Sequence, residues 1–141
     1  MTTANHNDVA SGLVQAAITA AEHAYAPYSH YPVGAALRAG DGTIFTGCNV
    51  ENASYPATIC AERTALVKAV SEGQRQFDLI AVVTRNGGFP CGICRQMLYE
   101  FAPDLRIIVA NLDGEILNDA PLSDLLAHGF GPAHLPHSAE K

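Results

Sequence analysis

An apolar run at Leu79–Thr84 is followed by a glycine-rich stretch (Arg85–Phe89), a helical segment opening at Pro90, and a second apolar run at Arg106–Asn111. Two buried strands joined by a helix lie side by side and parallel in one sheet, which already commits the chain to an α/β architecture. Upstream, Val33–Arg38 and Thr43–Cys48 are short apolar runs joined by Ala39-Gly40-Asp41-Gly42. The Asp-Gly step favours a tight turn, so these two read as an antiparallel hairpin. A second Asp-Gly step, Asp113-Gly114, leads into a short final strand at Glu115–Asn118. The sheet is therefore expected to be mixed, with about five strands.

Helical patterning supplies the outer layers. Asp8 and Ser11 are candidate caps, and Leu13, Ala17, Ala20 and Ala24 recur at helical spacing beside Val14, Ile18, Ala21 and Tyr25, with Pro27 as the stop. Asn52–Thr58 reads as a loop. Cys60–Ser71 reads as a helix with Leu66, Ala69 and Val70 on one face, ended by Gly73. Proline suits a first helical turn, so Pro90 is expected to open the helix running to Phe101, and Pro121–Ala127 makes a last short one. The expectation is a three-layer α/β/α sandwich around one mixed sheet. With 141 residues it forms a single domain, loose at about residues 1–8 and 136–141.

Charge and segment composition remove several function classes. Fourteen acidic residues face eight Lys plus Arg, a formal net charge of −6, and Lys68 and Lys141 are the lysines. Such a surface repels phosphate backbones, so nucleic acid is not expected as a partner. No run of about 18 apolar residues offers a membrane span. Met1–Asp8 lacks the basic patch and apolar stretch of an export signal, so a cytoplasmic location is expected.

In that setting the cysteines Cys48, Cys60, Cys91 and Cys94 point to metal or redox chemistry rather than to disulfides. Cys91-Gly92-Ile93-Cys94 falls in the first turn of a helix, where residues three apart share a face. Cys60 opens another helix, and its thiolate would supply a third corner of a tetrahedral zinc site. Helix N-termini also favour thiolates through their partial positive charge. With Cys48 as a fourth ligand the site would be closed and structural; with three ligands a position stays open for catalysis. Glu62, two residues after Cys60, bears on that choice. An acidic residue there satisfies a helix N-terminus by itself, but beside a candidate zinc ligand the general acid/base reading is favoured. Cys48 is read as a small buried residue, and the histidines His6, His23, His30, His128, His134 and His137 show no ligand spacing.

Cys60-Ala61-Glu62-Arg63-Thr64-Ala65 and Pro90-Cys91-Gly92-Ile93-Cys94-Arg95-Gln96 together resemble the paired signature of zinc-dependent cytidine deaminases of the small homotetrameric type. Tyr28 to Leu37, Gly47 to Ala53 and Phe130-Gly131-Pro132 extend the likeness, in order, from about Leu13 to Leu135. The resemblance implies one Zn²⁺ per subunit on Cys60, Cys91 and Cys94, with Glu62 as proton shuttle. It implies hydrolytic deamination of cytidine and 2′-deoxycytidine by zinc-activated water, in pyrimidine salvage. Asn49 and Glu51 are implied to hold the ribose hydroxyls, and Ala61 to contact substrate. Tyr55 and Phe130 are implied to reach a neighbouring subunit's pocket in a homotetramer. Tyr31 stands where the family commonly has Phe; its hydroxyl either bonds substrate or narrows the pocket. Three thiolates against one Zn²⁺ leave a net charge of −1, which Arg63 and the two helix N-termini are expected to compensate.

Two rival readings remain at this level. A blasticidin S deaminase-like or modified-cytidine deaminase would share the zinc core, but the Asn49-Val50-Glu51-Asn52 segment and the Phe130-Gly131-Pro132 tail favour cytidine. A structural zinc or thiol-redox protein built on Cys91 and Cys94 leaves Glu62 without a role.

Overall fold

A computed structural model describes residues 6–136. The elements run α1 (His6–Ala21), β1 (Gly34–Ala39), β2 (Ile44–Cys48), α2 (Ala61–Ser71), β3 (Phe77–Thr84), α3 (Gly92–Phe101), β4 (Arg106–Asn111), β5 (Ile116–Pro121) and α4 (Leu122–Leu125). Single 3-10 turns lie at Tyr55–Ala57, inside the expected loop, and at Pro132–His134. The five strands form one sheet in the order β2-β1-β3-β4-β5. Only β3 and β4 pair in parallel; β1/β2, β1/β3 and β4/β5 are antiparallel. The mixed sheet is as the turns and the crossover helix require.

Alternation along the strands builds the two outer layers. Ala35, Leu37, Ile80, Val82, Ile107 and Val109 face one way and pack with Ala61, Ala65 and Leu66 of α2 and Leu98 of α3. Ala36, Leu79, Ala81, Val83, Ile108 and Ala110 face the other way and pack with Ala10, Leu13, Val14 and Ala17 of α1. Both helix layers come in close. A methyl on Gly34 would lie 1.9 Å from the Ala17 carbonyl oxygen, and one on Gly47 would lie 2.6 Å from the Ala65 nitrogen.

Several boundaries differ from the sequence reading. The first helix starts at His6, so Asp8 lies in its first turn and Ser11 inside it, neither at the cap. A carboxylate is favoured at both kinds of position, which is why the residue signals a helix start without fixing it. That helix also stops at Ala21, well before Pro27, because Tyr25 leaves it to bridge Val50: the Tyr25 N–H bonds the Asn49 carbonyl and the Glu51 N–H bonds the Tyr25 carbonyl. Pro90 lies outside α3, with Cys91 as the extended N-cap. The final strand runs to Pro121, longer than its apolar stretch, because an exposed edge strand needs only a partner's backbone to continue. Pro121 is consequently the cap of α4, not its first turn, and α4 ends at Leu125, where the Leu125 carbonyl accepts from Arg95 Nη1. Of the ends expected to be loose, residues 1–5 and 137–141 lie outside the described residues; His6 to Asp8 are helical and Pro136 lies in a turn.

Candidate active site

The site lies where α2 and α3 begin. Cys60 and Cys91 are the N-cap residues of these helices, both in extended backbone, and their carbonyls accept the N–H of Thr64 and Arg95. Cys94 stands one turn into α3 and is buried. The Sγ atoms of Cys60 and Cys91 are 3.8 Å apart and those of Cys91 and Cys94 3.5 Å, and all three lie within 4.8 Å of one another. Two helix N-termini therefore deliver three sulfurs to one point. Cys48 does not join them and is half-buried rather than buried.

The electrostatics of the cluster suit a cation. Hydrogen bonding from Cys94 and the charge and hydrogen bond of Arg63 draw the Cys60 thiol down to about 5. The Cys94 thiol, tied to Cys60 and buried, is pushed strongly upward. Arg63 Nη2 lies 3.3 Å from the Cys60 sulfur and 3.3 Å from the Thr58 carbonyl oxygen. Soft sulfur donors in a set of three fit zinc and leave one coordination position free. The cluster fits one zinc per subunit.

Among the described residues, three polar side chains are buried, Glu62, Asn49 and Thr84, at 4%, 7% and 3% exposure. All three line a single cavity of about 380 Å³, with Tyr31, Glu51, Cys60, Ala61 and Cys91. That volume suits one small molecule. Glu62 sits in the first turn of α2. Burial, reinforced by the negative Cys60, pushes its carboxyl up to about 7, where it can both take and give a proton near neutrality.

Family membership rests on this geometry and on comparison with known proteins. The model of the cytidine and deoxycytidylate deaminase zinc-binding region matches residues 8–110. The chain belongs to the cytidine and deoxycytidylate deaminase family. The cytidine deaminase of Sporosarcina psychrophila is 48% identical over 125 residues, covering 86% of this chain and 91% of that one. The crystal structure of cytidine deaminase from Burkholderia pseudomallei superposes with a TM-score of 0.82 at 45% identity, covering 90% of this chain and all of that one. The blasticidin-S deaminase of Bacillus cereus is 31% identical over 115 residues, 74% of this chain and 81% of that one.

Within this deaminase fold the expected site residues do not all line the cavity, and Cys94 and Arg63 are not among its lining residues. Tyr31, Asn49, Glu51, Cys60, Ala61, Glu62 and Cys91 share the main cavity. Tyr55 instead lines an adjoining recess with Tyr28, Ser29, Glu51 and Thr58, and is 71% exposed, while Phe130 lines neither and is 56% exposed. Asn49 and Glu51, on either side of Val50, both line the cavity. Asn49 Oδ1 accepts the Val33 N–H and its Nδ2 donates to the Tyr31 carbonyl. Glu51 Oε1 accepts the Tyr28 and Ser29 N–H groups at 2.9 and 3.1 Å, and Oε2 accepts the Ser29 hydroxyl. The Tyr31 hydroxyl is bonded to Asn86 Oδ1.

Thr84 was not singled out by the sequence reading. Its Oγ1 accepts the N–H groups of Gly87 and Gly88 at 2.7 and 2.9 Å and so shapes the loop before Cys91. A polar residue closing an apolar strand, at the carboxyl end of a sheet strand, is the signal that could have found it. Ser29 was legible only as part of a longer segment, because its bond to Glu51 spans 22 residues.

Proposed function

We propose that the chain, as one catalytic domain over residues 1–141, hydrolyses cytidine and 2′-deoxycytidine to uridine and 2′-deoxyuridine with release of ammonia. Its place is pyrimidine salvage in the cytoplasm. The observation that carries the reading is Glu62: a buried carboxyl near pH 7 that lines the same cavity as Cys60 and Cys91. Cys60, Cys91 and Cys94 would hold the zinc, which when bound supplies a Lewis acid that makes water a nucleophile at neutral pH. Glu62 accepts a proton from the attacking water and delivers it to cytosine N3, then takes the proton of the new C4 hydroxyl and delivers it to the departing amino group. Arg63, on the Cys60 sulfur, offsets part of the thiolate charge.

The sugar is held from the other side of the cavity. Glu51 Oε2 keeps a lone pair beyond its bond to Ser29, and the Asn49 amide keeps one N–H, so both can still meet hydroxyl groups. Cytidine is favoured over blasticidin S by the higher identity to cytidine deaminases across most of the chain. Reduced thiols, which the site requires, fit the cytoplasm. Among the described residues no helix is long and apolar enough to cross a membrane. Exposed Tyr25, Tyr28, Tyr55 and Phe130 support assembly into a homotetramer whose subunits close each other's pockets.

Turnover of cytidine, deoxycytidine and free cytosine, with zinc measured on the same preparation and mass by sedimentation, tests all of this. Deamination of both nucleosides by a zinc-containing tetramer is expected. A zinc-loaded protein inert towards both nucleosides would overturn the activity, and an active monomer would overturn the shared pocket.

A further inference from the structure

Two stretches far apart in sequence meet at the cavity wall: the Tyr28–Tyr31 segment, whose Ser29 and Tyr31 line it, and the Arg85–Phe89 loop, whose Gly88 and Phe89 line it and which leads directly into Cys91. Each is also tied by bonds of its own. Glu51 holds Tyr28 and Ser29, and Thr84 holds Gly87 and Gly88. Between the two stretches, the Tyr31 hydroxyl donates to Asn86 Oδ1.

Arg85 adds a second link across the same gap. Its guanidinium stands 5.6 Å from the Tyr31 ring centroid, and its Nη2 donates to the His30 carbonyl. His30 is in the left-handed region, φ 55°. The loop runs so close that a methyl on Gly88 would lie 3.3 Å from the Tyr31 hydroxyl oxygen. At Gly87 the backbone is left-handed, φ +76°, a conformation that favours glycine.

We propose that Tyr31 and Asn86 form a clamp that fixes the Gly87–Phe89 wall against the sugar-holding segment, making both positioning residues for nucleoside binding. The proposal rests on the deaminase reading and deepens it. The Tyr31 hydroxyl hydrogen is committed to the protein, so the group narrows and stiffens the cavity and has only its oxygen, as an acceptor, left to offer a substrate. Losing the clamp loosens the ground-state fit while leaving Glu62 and the three thiols where they are, so the effect belongs in KM rather than kcat.

The test uses full-length, zinc-loaded protein: wild type, Tyr31→Phe, Asn86→Ala, Asn86→Asp and the double variant Tyr31→Phe/Asn86→Ala. Each of the first two single variants should raise KM for cytidine about fivefold, the size of one lost hydrogen bond, with kcat within about twofold of wild type. The double variant should be no worse than either, because both remove the same bond. Asn86→Asp keeps the acceptor and should keep KM. Multiplying effects in the double variant, unchanged KM in the singles, or an Asn86→Asp variant as poor as Asn86→Ala would each overturn the clamp. Amide exchange across Gly87–Phe89 decides it independently of chemistry: equal acceleration in both singles and the double supports it, and unchanged exchange overturns it. A wild-type chain without turnover would instead count against the deaminase reading.

Discussion

Gly47→Ala perturbs the site without substituting a site residue. Gly47 lies in β2 opposite Ala35, with its Cα against the start of α2. An added methyl would stand 2.6 Å from the Ala65 nitrogen, 2.7 Å from the Ala61 oxygen and 2.9 Å from Thr64 Cβ. Ordinary contact begins at 3.4 Å, so α2 must retreat by about 0.8 Å. The helix resists that retreat, because Thr64 Oγ1 donates to the Cys48 carbonyl, Lys68 Nζ donates to the Thr46 carbonyl, and Ala65 and Leu66 are packed in the core. Forced overpacking of this kind costs about 1–3 kcal/mol. Ala61 lies between Cys60 and Glu62, so the displaced turn is the one carrying both, and a misplacement of about 1 Å at reacting groups costs about 10²-fold. Urea unfolding should show a lower midpoint at unchanged slope, and kcat/KM for cytidine should fall about 10²-fold. Gly12→Ala, on α1 with nothing within 4 Å, is the control: it should be stabilising by up to about 1 kcal/mol and leave kcat/KM alone. A Gly47→Ala protein with wild-type zinc content, stability and kcat/KM would refute the reasoning.

Other outcomes follow from the same geometry. Glu62→Ala should retain zinc and lose about 10²- to 10⁴-fold in kcat, the worth of a general acid/base; near-normal turnover in a zinc-loaded variant would remove Glu62 from that role. Alanine at Cys60, Cys91 or Cys94 should abolish zinc binding measured by metal analysis, whereas Cys48→Ala should keep full stoichiometry; the reverse pattern would move the site. The Glu51 carboxyl is held below its usual range by the Ser29 hydroxyl and by the Ser29 and Tyr28 N–H groups. A lowered folded-state pKa contributes stability that is present above the unfolded value and lost as pH falls through the folded one. The advantage of wild type over Glu51→Gln in thermal midpoint should therefore be present at pH 6 and shrink towards pH 3; a gap independent of pH would show that the charge contributes nothing.

Much of this was legible in the residues because the relevant forces are local. The Asp41-Gly42 turn, with Gly42 at φ +92°, and Gly73 at φ +96° after α2 are backbone requirements that few other residues meet cheaply. The alternation in β3 and β4 and the three-residue spacing of Cys91 and Cys94 follow from strand and helix periods. Three sulfurs beside helix N-termini already point to a cation site. Element boundaries slipped by a few positions, at both ends of α1, at Pro90 and at the β5–α4 junction, because partners brought in by the fold decide where an element stops.

The tertiary structure decided what no local signal encodes. The strand order β2-β1-β3-β4-β5 places β1 at the centre of three strands, although a hairpin and a crossover helix are compatible with other orders. Packing decided that Cys60 meets Cys91 and Cys94 while Cys48 stays apart, a distinction made by which helix ends converge. It also decided that the Tyr31 hydroxyl meets Asn86, 55 residues away, and that Ser29 holds Glu51, 22 residues away. Residue type restricts which partners a side chain can accept, but hydrogen bonds and packing contacts act over a few ångströms, so only the folded chain determines which of the permitted partners arrives.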